Sequence, residues 1–167
     1  MNMKLIMHDL SDADFKHIAP ALNQENAVIG SRGKIRHCIG CYGCWIKTPG
    51  VCVIKDGYEN IGQLFSKCDE MIVISKCVYG SYSPFIRNVW DRSIPYLLPY
   101  FVTANHETHH KQRYKNQFSK NVYFYGTSTE AEREMAERLV KANSISYNEK
   151  NTRVYFFNSF EEIEGEI

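Results

Sequence analysis

The sequence predicts an α/β fold built as a three-layer sandwich, with five parallel strands and helices on both faces. Short apolar runs alternate with segments of helical periodicity along the whole chain. The clearest run, EMIVIS (Glu70–Ser75), is of the kind buried on both faces of a parallel sheet. Right-handed crossovers leave few topologies, of which the five-strand version has the order 2-1-3-4-5. With 167 residues, we expect one domain over positions 1–167.

The first half of the chain supplies two strands and two helices. KLIM (Lys4–Met7) is a brief buried strand, and Ser11 offers an N-cap for the helix that follows. AVIG (27–30) and GKIRHC (33–38) are weaker strand material on either side of a turn at 31–33. Helical periodicity returns in YENIGQLFSKC (58–68). These segments form the first two strand–helix units of the predicted sheet.

In the second half, EMIVIS is followed by a turn-rich loop and by a helix that carries Phe85, Ile86, Val89 and Trp90. The stretch 95–118 is polar and irregular, and it is longer than most connections in a compact domain. We therefore expect a functional excursion or an oligomer contact there. NVYFYG (Asn121–Gly126) and RVYFF (Arg153–Phe157) are the last two strands, with a strongly amphipathic helix between them.

Charge and leader signals restrict the partners and the compartment. Twenty Lys and Arg against nineteen Asp and Glu leave a net charge of +1, so no nucleic-acid or membrane partner is indicated. The opening MNMKLIMHDLSD is neither a signal nor a transit peptide, and no apolar run approaches the roughly 20 residues that span a bilayer. We expect a cytoplasmic protein, in which clustered cysteines indicate metal or redox chemistry before disulfides.

In such a sheet the ligand lies beyond the carboxyl ends of the strands. The loops expected at that edge are His8–Asp14, Cys38–Asp56, Lys76–Pro84 and Gly126–Thr129. The cysteine-rich loop is therefore predicted on the ligand side.

Four cysteines share that loop in the spacing Cys38-x2-Cys41-x2-Cys44-x7-Cys52. Four thiolates suit a [4Fe–4S] cluster, and a zinc ion bound by all four cysteines is also open. A thiol–disulfide switch is a third alternative. Because short cysteine spacings often mislead, we favour a fourth, a glycine-rich structural loop whose cysteines pack under Trp45.

HETHH (His106–His110) matches the zinc-protease string H-E-x-x-H, which needs a regular helix with an apolar face. Its flanks are polar and no third ligand is evident, so a zinc protease is not favoured. The alternatives are a surface patch without a role, or a flap over the crevice whose basic residues meet the nicotinamide cofactor or a second subunit. Those residues are His109, His110, Lys111 and Arg113. Asp91–Arg92 is expected to form a structural ion pair.

Three stretches resemble the flavodoxin-like NAD(P)H-dependent FMN reductases and their iron–sulfur flavoprotein relatives. They are CIGCYGCWIKTPGVCVIKDG (38–57), CVYGSYSPFIRNVWDR (77–92) and HHKQRY (109–114), which with the strand order cover most of the chain. The resemblance implies FMN held noncovalently across the strand ends, reduced by NAD(P)H and reoxidised by a quinone or similar acceptor. We expect a homodimer joined through 95–118. The alternatives are an iron–sulfur electron carrier and a non-catalytic protein that has lost FMN.

The resemblance also implies a set of cofactor-binding residues. In relatives the loop that contacts the flavin ring reads Ser-Pro-Val-Tyr, and here it reads Lys76-Cys77-Val78-Tyr79. Tyr79 and Tyr82 are expected to stack on the ring. The predicted cofactor-binding residues are Asp9, Ser11, Cys77, Val78, Tyr79, Gly80, Ser81, Tyr82, Ser83, Gly126 and Thr127. No catalytic side chain is expected, because the flavin carries the chemistry.

The first loop departs from the family pattern. Relatives use a Gly-Ser-x-Arg-like turn whose backbone N–H groups cradle the FMN phosphate. Here MHDLSDADF contains no glycine, no arginine and three aspartates. One carboxylate about 4 Å from a phosphate charge costs about 4 kcal/mol at an effective dielectric near 20. Either Ser11 and backbone groups hold the phosphate with the aspartates turned away, or flavin binding is weak or lost.

Overall fold

The computed structural model describes residues 3–20, 22, 26–31, 33–104 and 106–167. The strands of its central sheet are β1 Lys4–His8, β2 Ala27–Ile29, β3 Glu70–Lys76, β6 Ser119–Tyr125 and β7 Asn151–Phe157. They are parallel, in the order β2-β1-β3-β6-β7. A separate two-stranded sheet consists of β4 Leu97–Ala104 and β5 Glu107–Gln112. Without that pair the order is the predicted 2-1-3-4-5, so the flavodoxin-like α/β fold is confirmed.

In the described residues, five α-helices cover the sheet or its connections. They are α1 Asp12–Ile18, α2 Gly43–Ile46, α3 Ile61–Lys67, α4 Pro84–Asp91 and α5 Glu130–Ser146. Polar N-caps start three of them: Ser11 caps α1, Ser83 caps α4, and Thr129 forms a capping box with Glu132 on α5. None of the helices in the described ranges is long and apolar enough to cross a membrane.

Apolar cores lie on both faces of the sheet, as a three-layer sandwich requires. On one face α3, α4 and α5 contribute Phe65, Ile86 and Val140, each fully buried. On the other, Phe15 of α1 and Ile163 of the carboxyl-terminal segment pack together against the sheet. β3 lies between the two cores, and its residues 71–75 are all buried. The continuous apolar run in the sequence therefore has the expected cause.

Two predicted segments differ in the structure. GKIRHC (33–38) is not a strand, and of the two predicted segments it is Ala27–Ile29 that pairs with β1. The 33–38 segment instead runs beside α4, where His37 Nδ1 lies 2.8 Å from Asn88 Oδ1. The turn predicted at 31–33 includes residue 32, which lies outside the described residues.

The sequence predicts that the stretch 95–118 is irregular, but the structure contains a β-hairpin there. Its β4 and β5 pair antiparallel, with Phe101 opposite His110 and Val102 opposite His109. β5 is polar, so it does not show the apolar run that predicts a strand. In β4, a register shift between Leu97 and Phe101 interrupts the alternation of side chains between the two faces.

Candidate functional site

Three loops meet at the carboxyl edge of the sheet, where strands β1, β3 and β6 end. Asp9 follows β1, and its Oδ2 accepts the backbone N–H of Lys76 at 2.9 Å. Its Oδ1 accepts the hydroxyl of Tyr125, the last residue of β6, at 3.2 Å. The predicted loops 8–14, 76–84 and 126–129 are therefore neighbours, at the β1/β3 switch point where such sheets bind ligands. We call these residues together with Tyr125 the carboxyl-edge site.

Asp9 is the electrostatic centre of this site. Burial raises the pKa of its carboxyl, and hydrogen bonds from Ser83, Lys76 and Tyr125 partly offset the rise. The pKa of Tyr125 is raised by its own burial and by the Asp9 carboxylate beside it. Both effects favour the protonated forms. The Lys76 side chain is exposed and runs past Gly126, with its Cγ 3.6 Å from where a Cβ on that glycine would stand.

A rigid tight turn forms the middle of the site. The N–H of Val78 donates to the carbonyl of Ser81 at 2.9 Å, and the reverse bond measures 3.1 Å. The central residues Tyr79 and Gly80 have φ values of 51° and 69°, the left-handed pair that a type I′ turn needs. A Cβ on Gly80 would stand 2.8 Å from Cβ of Met135 in α5. Close packing on α5 thus holds the turn so that the Tyr79 side chain is 90% exposed.

Three other residues predicted to contact the flavin are buried inside the protein, and a fourth, Thr127, is exposed. The ring of Tyr82 is 1% exposed and packs 5.3 Å from that of Phe124, so it is not free to stack on a ligand. Cys77 is buried in the same core, and burial raises the pKa of its thiol. Ser83 is buried as the N-cap of α4. Thr127 is exposed beside Gly126 at the rim.

The first loop does not fit the phosphate of FMN, the cofactor that the family resemblance implies. The N–H of Asp14 donates to Oγ of Ser11 at 3.1 Å, and the Ser11 hydroxyl donates to Oδ2 of Asp14 at 2.6 Å. Two donors that an anion could use here are therefore bonded within the loop. Asp9 and Asp12 add further negative charge, and residues 8–15 include no Lys or Arg.

The cysteine loop does not lie on the ligand side, contrary to the prediction. α4 starts at the carboxyl edge and carries the chain back toward the amino edge, where β6 begins. The loop packs near the far end of α4 and the segment after it. There Arg92 donates to the carbonyls of Arg36 and Ile54, at 2.8 and 3.2 Å, and Trp45 Nε1 donates to that of Leu97 at 3.0 Å.

The predicted iron–sulfur or zinc site is not supported. Cys38 and Cys41 are exposed, while Cys44 and Cys52 are buried, and all four are free thiols around a cavity of about 220 Å³. Within the described ranges, no three His, Cys, Asp or Glu side chains form a group that could hold a metal ion. Burial, and after it the neighbouring cysteines, raise the pKa of Cys44 to about 11.

HETHH has the wrong geometry for a zinc protease, because residues 107–110 belong to strand β5 and not to a helix. His109 Nδ1 lies 3.3 Å from Oγ of Ser146, and His110 Nδ1 lies 2.9 Å from the carbonyl of Leu98. Ser146 ends α5, which also runs back from the carboxyl edge. The hairpin is therefore not a flap over the crevice.

The predicted ion pair between Asp91 and Arg92 is also wrong, because Arg92 pairs with Asp56 instead. Sequence reasoning missed Asp56, and it missed Lys76 and Tyr125 as partners of Asp9. For Lys76 and Tyr125 the sequence did contain a signal, namely their position at the ends of the predicted strands. Each is the last residue of an inner strand, the position from which a side chain or an N–H reaches the ligand edge.

Comparison with solved structures identifies proteins of the same fold, all at low sequence identity. An azoreductase from Bacillus anthracis str. Sterne is 10% identical with a TM-score of 0.58, over 98% of this chain and 89% of that one. An NAD(P)H:quinone oxidoreductase from Methanothermobacter marburgensis is 12% identical with a TM-score of 0.58, over 94% and 87%. General stress protein 14 from Treponema denticola, solved in complex with FMN, is 11% identical with a TM-score of 0.55, over 99% and 91%.

No protein family and no curated protein matches the sequence. At these identities the structural likeness shows a shared fold.

Proposed function

We propose that this chain is a flavin-dependent oxidoreductase that takes electrons from NADH or NADPH and passes them to a quinone or a similar small acceptor. The observation that carries the proposal is the exposed Tyr79 ring, held on a rigid turn at the carboxyl edge of a flavodoxin-like sheet. The names of the solved structures with this fold, an azoreductase and a quinone oxidoreductase, support the same class of reaction. The flavin would supply the redox chemistry.

The residues of the site suit the ring of a flavin better than its phosphate. Tyr79 presents a planar apolar face on which an aromatic ring can stack. The exposed ammonium of Lys76, beside Gly126, offers a positive charge to a ring carbonyl or to the anionic nicotinamide cofactor. Asp9 and Tyr125 lie at the floor of the site, where the tyrosine hydroxyl donates to Oδ1 of Asp9 at 3.2 Å.

The experiment is a flavin titration followed by an assay. Purified protein is mixed with riboflavin or FMN, and oxidation of NADH and NADPH by a soluble quinone is then measured. Removing the Tyr79 ring (Tyr79→Ala) should weaken flavin binding roughly two- to tenfold, the range of one aromatic pair. Ile145→Ala, at an exposed residue of α5 outside the site, is the matched control. Wild-type protein that neither binds a flavin nor oxidises either nucleotide would instead favour the non-catalytic alternative.

We also propose that the chain forms a homodimer through the hairpin and the cysteine loop. Five large apolar side chains there are mostly exposed, and we call them the hairpin patch. They are Ile39 (72%), Tyr42 (57%), Ile46 (78%), Tyr100 (67%) and Phe101 (67%). Four of the five line one open cavity of about 660 Å³. Contiguous apolar surface of this kind is typical of an interaction site.

The size of the hairpin patch suits a protein partner. At about 200 Å² per aromatic residue, its three rings alone expose roughly 400 Å². A standard interface buries about 800 Å² on each partner, so these rings would supply half of it. A two-fold pair brings the same patch of each copy together and needs no second kind of protein.

A further inference from the structure

We propose that the carboxyl-edge site accepts a flavin without a phosphate and therefore binds riboflavin more tightly than FMN. This inference rests on the proposed flavin-dependent function and specifies the cofactor. It comes from the first loop, whose own side chains take the bonds and provide the charge that a phosphate would meet.

Two of the donors at the start of α1 are already bonded within the loop. An anion at a helix N-terminus is held by free backbone N–H groups and by hydroxyl donors. Here the N–H of Asp14 is bonded to Ser11, and the Ser11 hydroxyl is bonded at 2.6 Å to the Asp14 carboxylate. A phosphate that used these donors would have to break both bonds, and the Asp14 carboxylate would remain beside it.

The donors at the floor of the site are also in use. The N–H of Lys76 and the hydroxyl of Tyr125 both point at the carboxylate of Asp9, at 2.9 and 3.2 Å. They come from two different strands and converge on one point, as donors around a bound anion do. The chain thus supplies its own anion at the switch point.

Charge acts in the same direction as the hydrogen bonds. Asp9, Asp12 and Asp14 lie within six positions, so the site has three carboxyl groups against the exposed ammonium of Lys76. The phosphate of FMN is a monoester with about 1.5 to 2 negative charges near neutral pH. One carboxylate about 4 Å away weakens binding of one such charge roughly a thousandfold at an effective dielectric near 20. Riboflavin has the same ring and ribityl chain with no charge, so it avoids this repulsion.

The test compares riboflavin and FMN on the same protein, by quenching of flavin fluorescence at low ionic strength. For the wild type we expect the Kd of riboflavin to be at least tenfold below that of FMN. The difference should shrink when salt is added, because exposed charges are screened. The triple variant Asp9→Asn/Asp12→Asn/Asp14→Asn should gain at least tenfold in affinity for FMN relative to its affinity for riboflavin.

The matched control is Asp91→Asn/Glu134→Gln/Glu137→Gln, which removes the same number of charges from α4 and α5. It should leave the ratio of the two Kd values unchanged. Because Asp9 is hydrogen-bonded to two strands, the triple variant is compared with Asp12→Asn/Asp14→Asn, which keeps Asp9. That double variant should show a smaller gain for FMN alone.

The possible results distinguish a failure of this inference from a failure of the proposed function. Wild-type protein that binds FMN as tightly as riboflavin, or more tightly, overturns this inference and leaves the flavin-dependent function standing. An equal gain for FMN in the control variant also overturns it. Wild-type protein that binds neither flavin overturns both.

Discussion

Arg92 and Asp56 form a buried, two-pronged ion pair between the end of α4 and the segment after the cysteine loop. Nη1 lies 2.8 Å from Oδ2 and Nη2 lies 3.0 Å from Oδ1, with the two side chains 0% and 8% exposed. The same guanidinium donates to the carbonyls of Arg36 and Ile54. One side chain therefore holds both ends of the segment that carries the cysteines.

Replacing Arg92 with leucine should destabilise the protein by about 3–5 kcal/mol, because Asp56 would remain buried without its partner. Arg92→Lys keeps the charge but cannot make both hydrogen bonds to the Asp56 carboxylate, so we expect an intermediate loss of stability. Urea unfolding measures both. The control is Lys141→Met, which removes an exposed pair with Glu137 and should cost less than about 0.5 kcal/mol. A loss below about 1 kcal/mol for Arg92→Leu would contradict the central role of this pair.

Stability should fall in acid as the Asp56 carboxylate takes up a proton. Hydrogen bonds from Arg92 lower the pKa of Asp56 from 3.8 to about 2. A lowered folded-state pKa stabilises the fold above the unfolded value, and this contribution is lost as pH falls from about 4 to about 2. We expect the wild type to lose about 2 kcal/mol from this group, measured by urea unfolding across that range. Asp56→Asn should remove this part of the pH dependence, and an unchanged profile would contradict the assignment.

The six cysteines should divide by exposure when the native protein is alkylated. Cys38 and Cys41 are exposed and should react first. Burial raises the pKa of Cys44 to about 11 and that of Cys68 to about 12, so both should remain unmodified near neutral pH. Iodoacetamide labelling read by mass spectrometry distinguishes them, with a urea-unfolded sample as the control in which all six react. Labelling of Cys44 as fast as Cys38 would show that the loop opens in solution.

The proposed dimer predicts the effect of a charge in the hairpin patch. Phe101→Lys or Ile46→Lys should shift the protein from dimer to monomer in sedimentation velocity, because the charge would be buried at the interface. Ile145→Lys places the same charge on an exposed apolar residue outside the patch and should leave the dimer intact. A wild type that sediments as a monomer at micromolar concentration would exclude this interface.

Local patterns predicted most of the fold. EMIVIS is a strand because an unbroken apolar run can be buried only between two layers, and Ser11 begins a helix because its side chain caps the first turn. The same patterns failed at 33–38, where strand-like residues run along α4. They also failed in the hairpin, where Glu107–Gln112 is polar and owes its strand to pairing with the neighbouring chain segment. Period and propensity carry no information about such partners.

By itself the sequence determined the strand order, through apolar runs and the handedness of crossovers, and the acidic character of the first loop. Only the tertiary structure decided what those acids bind, that Tyr82 points inward, and that the cysteine loop lies away from the ligand edge. The reason is distance along the chain. Asp9 meets Tyr125 across 116 positions, and Arg92 meets Asp56 across 36. No local pattern encodes such pairs, because they exist only once the sheet and helices have brought the strand ends and loops together.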